Sequence, residues 1–576
     1  MALRAERARI SPGLALLLIP AAIVSIIVVG LLAFVLVLSV SRMDEGVLAG
    51  FAGVANFANL FSNPGALHTA LNTAGFAAIS LAVSFAFGVP LAWLAERTTL
   101  PGRNAIWTAM ISMLIIPGFL TGMGWLFIAH PKVGMLNLAL ESWLHLSGPP
   151  FAINTIWGMG FIQGLGLASL TFVLVAPSLR AMDPQLEEAA RMSGATNWRT
   201  LRKVTLPLIS PALLASAIYV SIVAIGAFDV PAVVGLSARV YTFSTYMYAL
   251  AFPPAGFPDY GIIAAGGAIV IVFALVMTGI YARLLRRARN FQVVSGKAYR
   301  PRLTELGRWN VAAWAFVGLF ILLALVAPLG IAVLNAFLPY TMPVSADMFS
   351  HLSLVNFQSI PWQMLGSGAL HSLEILIVVP IAVIMLSTAI SWIVLRTTLP
   401  GRLQLDSIAF LPHAVPGVLF GIGASLFALF VLRKTVPIYG TIALVMIVYT
   451  IGWLSFGTRM VNASLIQIHA DLVEAAQVAG GNGLMIMREI IVPLLRPALS
   501  GTWIYVALLC LRELTLATFV TTPKNLTLPM VAWFLWNNGS LNQGAAVALI
   551  VVAIVAPFVW VYIRFGRAAE QVSRSA

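Results

Sequence analysis

Two short polar stretches hold the residues whose types and spacing suggest a task. Glu188, Ala189 and Ala190 are followed by Gly194 and Pro207, and the same order returns as Glu474, Ala475, Ala476, Gly480 and Pro493, each displaced by 286 positions. A carboxylate beside two small side chains is poor material for acid–base chemistry. It is good material for docking, because another backbone can approach closely while an Arg or Lys of that partner meets the carboxylate. Gly194 and Gly480 can take the positive φ that ends a short helix. Pro207 with Pro211, and Pro493 with Pro497, fix the direction in which the chain continues. Each stretch therefore reads as two short helices joined at a glycine. An amphipathic loop lying on lipid headgroups explains the flanking arginines but not the duplicated spacing. A partner that must be fitted twice explains both.

Other chemistry is hard to find. No phosphate-binding loop occurs, since Gly296-Lys297 is followed by Ala298 and lacks the upstream glycine spacing. The seven histidines, at 68, 130, 145, 351, 371, 413 and 469, show no metal-ligand spacing. The expectation is no catalytic residue, no metal site and no bound nucleotide in this chain. The lone Cys510 reads as a small buried apolar residue.

The elements that must position the loops are membrane helices. Of the 576 residues, 60% are hydrophobic and 9% charged, too little polar surface to cover a soluble globule. Twelve apolar runs approach or exceed the roughly 20 residues that cross a bilayer. They lie near 13–38, 70–95, 105–130, 153–177, 209–232, 260–283, 310–337, 369–395, 404–432, 438–458, 497–520 and 544–564. The run from Ser11 to Val40 is too long for a signal-peptide core and is read as a retained first span. With both termini cytoplasmic, most of the 33 Lys and Arg residues fall on the cytoplasmic side, as do both repeated loops. The net charge of +14 thus reports topology and not a nucleic-acid partner.

The duplication reaches beyond the loops. Arg97-Thr-Thr-Leu-Pro-Gly-Arg103 returns as Arg396-Thr-Thr-Leu-Pro-Gly-Arg402, and Ile116-Pro-Gly118 as Val415-Pro-Gly417, both displaced by 299 positions. The difference between the two displacements places an insertion in the first half, most simply within 132–150. The reading is an all-α integral membrane protein of about twelve helices in two parallel six-helix halves. Its parts are a first helix and outer loop (1–69), a first core (70–283) with its polar loop at 183–208, and a basic cytoplasmic linker (284–309). A seventh helix and outer loop (310–368) and a second core (369–566) with its loop at 469–494 complete it.

The main ionisable residues inside the spans are Asp229, Arg512 and Glu513. Two readings stand for them, an interhelix pair such as Arg512 with Asp229 or positions on a translocation path. A transporter driven by protons or sodium would ordinarily bury more such groups. That rival predicts uptake that collapses with the ion gradient, and a non-transporting scaffold predicts partner binding alone.

The spacing Glu-Ala-Ala, three residues, Gly, nine residues, aliphatic, one residue, aliphatic, Pro resembles the coupling loop of permease subunits in binding-protein-dependent ABC importers. Val204 and Val492 stand where that family often has Ile and Leu. The resemblance spans about 70–283 and 369–564. It implies the type I ABC importer permease fold in the bacterial inner membrane, with Glu188, Ala189, Ala190, Gly194, Pro207 and their second-half counterparts contacting the ATPase. It also implies two copies of a cytoplasmic ABC ATPase that bind ATP and Mg, and a periplasmic solute-binding protein. The chain itself would be no enzyme and would carry no cofactor, its other contacts being membrane lipid. The fused layout, the linker Phe291–Arg302 and the stretch Arg512-Glu-Leu514 look most like ferric-iron importer permeases. Thiamine permeases share the layout, and polyamine, sulfate and phosphonate importers share the loop. The two loops differ, Gly480-Gly-Asn-Gly483 standing against Gly194-Ala-Thr-Asn197 and Glu489 against Lys203, so unequal ATPase contacts are expected.

Overall fold

The computed structural model describes residues 12–44, 47–289, 303–481 and 483–575. The linker motif Phe291–Arg302, Asn482 and the basic residues Arg4, Arg7 and Arg9 lie outside the described residues. Helices dominate because apolar chain in lipid must satisfy its own backbone groups. Among the described residues ten helices are long and apolar enough to cross a membrane, twelve if each of two bent pairs forms one span. The first core is built on Pro64–Arg97 against Ile156–Ala181. Asn63 starts the former by accepting from Gly65 N–H at 2.9 Å, with Pro64 in the first turn where a missing N–H costs nothing. A Cβ on Gly88 would stand 2.6 Å from the Ala168 carbonyl oxygen, so the pair packs backbone to backbone as membrane helices do.

Four of the expected spans are not straight. The runs 105–130 and 404–432 each fold as two helices, bent by 95° between Asn104–Leu114 and Gly118–Ala129 and by 100° between Arg402–His413 and Gly417–Leu432. The cause is the repeated Pro-Gly: Pro117 and Pro416 have no N–H to carry the helix on, and each sits in extended backbone. The runs 209–232 and 497–520 also break. Leu206–Gly226 stops before a separate helix Asp229–Gly235, and Val492–Arg512 stops before Thr515–Val520. Hydropathy hides the first of these breaks because Ala227-Phe228 is apolar, whereas Arg512-Glu513 marks the second. In the first half, Gly118–Ala129 ends at His130, whose Nδ1 accepts from Lys132 N–H at 3.1 Å and Val133 N–H at 3.3 Å. Burial, helped by the Lys132 charge, holds the His130 pKa below its ordinary value. A small addition to the all-helical reading is the antiparallel hairpin Ser41–Asp44 with Val47–Phe51, tied down by Asn56, which donates to the Ser39 and Ser41 carbonyls.

The chain divides into two compact units that exchange their leading helices. One unit joins the first helix, up to Leu38, to residues 361–531 and the chain from Ala553 on; the other holds 39–360 with 532–552. In the former, Phe34 meets Phe427 edge-on at 5.4 Å, and a Cβ on Gly423 would lie 3.0 Å from Val35. In the latter, the helix Ala327–Phe337 packs on Gly118–Ala129, and a Cβ on Gly124 would lie 2.1 Å from the Pro328 carbonyl oxygen. Gly124 and Gly423 are 299 positions apart, so one small-residue seat receives the seventh helix in one unit and the first helix in the other.

Candidate functional site

Each polar loop follows the same path. In the first, Pro184–Met192 is followed by Gly194 at φ +81°, a single turn Asn197–Thr200, a π-turn Leu201–Thr205 and then the long helix Leu206–Gly226. In the second, Ala470–Val478 leads to Gly480 at φ +87°, then Gly483–Ile486, a π-turn Met487–Ile491 and the helix Val492–Arg512. The π-turns precede Pro207 and Pro493 for a physical reason. Proline offers no N–H, and the ladder shifts register so that Leu206 N–H bonds the Leu201 carbonyl and Val492 N–H that of Met487. A Cβ on either glycine meets nothing within 4 Å, so the positive φ, not crowding, selects glycine there.

The two Glu-Ala-Ala triplets each lie on the first short helix of their loop, with the glycine in the turn after it and the proline at the start of the long helix. Ala189, Glu474 and Ala475 are exposed, while Glu188, Ala190 and Ala476 are half-buried. Large apolar residues join them at the surface: Met192 and Val478 are each 90% exposed, and Trp198 is 70% exposed. Apolar side chains held out beside carboxylates suit protein contact better than solvent.

The sequence reading missed Glu187, one residue before the repeated glutamate. Its carboxylate pairs with the Arg97 guanidinium, and both groups are buried. Its other oxygen accepts from the Thr205 hydroxyl at 2.6 Å. Arg97 Nη1 also donates to the Met182 carbonyl at 3.4 Å. In the second half Arg396 keeps the backbone part of this arrangement, donating to the carbonyls of Leu465 (2.8 Å) and Ile468, the counterpart of Met182. No carboxylate stands there: the equivalents of Glu187 and Thr205 are Val473 and Ile491, packed in an apolar cluster with Val461, Leu465, Ile486, Met487 and Leu495. A repeat search passes over Glu187 because only Arg97 recurs. The available signal was an arginine in one duplicated motif with an unmatched acid in the other.

The intramembrane charges fall at the two helix breaks. Asp229 opens the helix Asp229–Gly235 against the Ile-Pro-Gly bend, where a Cβ on Gly118 would lie 3.3 Å from its Oδ2. Thr515, its counterpart, takes the same place beside Gly417, its Cγ2 3.5 Å from a Cβ built there. Glu513 Oε1 accepts from Leu516 N–H at 2.8 Å and so caps the second short helix, while Arg512 ends the helix before it. Among the described residues no group of three or more His, Cys, Asp or Glu is placed to hold a metal ion.

Residues 10–290 match the family described as binding-protein-dependent transport system inner membrane components. The first half of the chain thus carries this permease family's domain. As a multi-pass inner-membrane protein with the type I permease fold, the permease has relatives that run across both halves. It is 27% identical over 425 residues to a putative ferric transport system permease protein of Haemophilus influenzae, covering 72% of this chain and 64% of that protein. It thus spans slightly under two thirds of that relative's length. A ferric transport system permease protein of Actinobacillus pleuropneumoniae is 25% identical over 521 residues, covering 86% of this chain and 71% of its own length. By contrast, a sulfoquinovosyl glycerol transport system permease protein of Agrobacterium fabrum, 26% identical over 297 residues, is 89% covered by 47% of this chain. A single-half permease aligned to part of this one is what an internal duplication produces.

Proposed function

We propose that this permease is the membrane subunit of an ATP-driven importer that takes up ferric iron delivered by a periplasmic binding protein. The duplicated loop carries the reading: two copies of one docking geometry in one chain call for two ATPase subunits, one on each loop. Glu188 and Glu474 serve as docking groups, with Ala189, Ala190, Ala475 and Ala476 allowing close approach, and Gly194, Gly480, Pro207 and Pro493 setting the angle to the membrane helices. ATP and Mg belong to the partner, which performs hydrolysis; the loops and both termini face the cytoplasm. ATP binding draws the two loops together and opens the path outward, and hydrolysis reverses the movement. The path follows the helices after each loop, and Asp229, Arg512 and Glu513 serve as polar groups beside it.

Iron is favoured among solutes by the relatives that align across both halves, which are described as ferric permeases. The same class of importer for thiamine, a polyamine, sulfate or a phosphonate is the alternative outcome of one experiment. The complex purified through this chain is weighed by native mass spectrometry, then assayed in liposomes for uptake with each solute and its binding protein. Two ATPase copies per permease and uptake of ferric iron alone are expected. Uptake of another solute replaces iron while leaving the importer reading in place, and purification without an ATPase removes it.

A further inference from the structure

We propose that Arg97, Glu187 and Thr205 form a latch that makes the first coupling helix move as one body with its membrane helices, so that Glu187 is a positioning residue for transport. The proposal rests on the reading of Glu188 and Glu474 as ATPase-docking groups. One carboxylate ties three segments together. Arg97 ends the long helix Pro64–Arg97, Glu187 belongs to the coupling helix Pro184–Met192, and Thr205 closes the π-turn that leads into Leu206–Gly226. Glu187 Oε2 meets the guanidinium and Oε1 the hydroxyl at 2.6 Å, so a push on the coupling helix reaches two membrane helices through buried, directional bonds. Adjacent helix residues point about 100° apart, which lets Glu188 meet a partner while Glu187 faces inward.

Stability alone does not explain the latch. A buried ion pair is commonly no more stabilising than apolar side chains of similar volume. This chain itself solves the same packing problem 286 positions later with Val473 and Ile491, under an arginine bonded to the same carbonyl position. What the ion pair adds over that apolar version is a fixed register between helix and body, a use of buried charge pairs with good precedent. The second loop, seated by non-directional contacts, can slide where the first must follow.

The test grafts the second half's chemistry onto the first, Glu187→Val with Thr205→Ile, beside Glu187→Gln, which retains hydrogen bonding without the charge. Each variant is purified with its ATPase, and solute imported per ATP hydrolysed is measured in liposomes with ferric-loaded binding protein. Backbone hydrogen exchange of residues 184–192 is measured in nanodiscs on the chain alone. The expected result is normal ATPase binding, a fall of about tenfold in solute per ATP for the graft, a smaller fall for Glu187→Gln, and faster exchange in 184–192. Wild-type exchange and wild-type solute per ATP in the folded graft would overturn the latch. Failure of even the unaltered chain to bind ATPase would remove the docking reading, and the exchange comparison would still decide whether the carboxylate fixes the helix.

Discussion

The two loops of this permease share a backbone path and differ in what holds it. In the first, Arg97, Glu187 and Thr205 make a buried polar knot; in the second, Arg396 donates to backbone carbonyls while Val473 and Ile491 complete an apolar core. The duplication therefore keeps the Glu-Ala-Ala, Gly and Pro positions more strictly than the side chains packed behind them. On the proposed docking role, the exposed groups would have to match an outside shape twice, whereas either polar or apolar packing can fill the space beneath them.

The largest expected difference between the halves comes from removing that support. Glu187→Ala leaves a buried guanidinium without its carboxylate and destabilises the first half by about 3–5 kcal/mol, the range for one broken buried pair. Val473→Ala removes two methyl groups from a half-buried site and costs about 1–2 kcal/mol. Thermal unfolding in detergent, followed by tryptophan fluorescence, ranks the two; equal losses would show that Arg97 finds other partners.

Next in size is the exchanged-helix seat. Gly124→Ala drives a methyl into the Pro328 backbone, while Gly423→Ala meets the end of a Val35 side chain, so the first costs about 1–3 kcal/mol and the second less. The same melting experiment reads both, and a greater loss at Gly423 would contradict the packing described.

Smaller again is the inequality of the docking groups. Glu188→Ala and Glu474→Ala each lower uptake without unfolding the permease, by different amounts within about tenfold. Initial rates of uptake in liposomes check this, and identical residual rates would remove the functional asymmetry. The smallest effect is confined to the first half, where His130 caps a turn and the second half has Leu429 in a continuing helix. Its folded pKa lies below its ordinary value, so the neutral ring's stabilisation is full above about 6.5 and fades as pH falls through the lowered value. Protection of the Lys132 and Val133 amides, corrected for the intrinsic pH dependence of exchange, should fall as pH is lowered below about 6.5 in the natural protein and not in His130→Gln.

Much of this was legible from residues. The apolar runs and the two repeated motifs gave the helical class, the duplication and the course of the loops, because lipid imposes a long apolar period and the Gly and Pro positions that shape each loop recur. Hydropathy could not show the break before Asp229, since Ala227-Phe228 is as apolar as the helices it interrupts; Arg512-Glu513 marks the break before Thr515, and Pro117 and Pro416 announced their bends. The exchange of the first and seventh helices is a tertiary choice, accommodated in each half by a glycine at the seat. Glu187 escaped notice because its partner lies 90 positions away and its own position does not repeat.

The docking role of the loops is tested most directly by ATP turnover of the reconstituted complex, with ferric-loaded binding protein outside and ATPase inside. Stimulated hydrolysis in the natural permease, abolished when Glu188→Ala and Glu474→Ala are combined while the complex still purifies folded, is the predicted result. Turnover that ignores the loaded binding protein and the double substitution, with uptake following an imposed ion gradient, would contradict it.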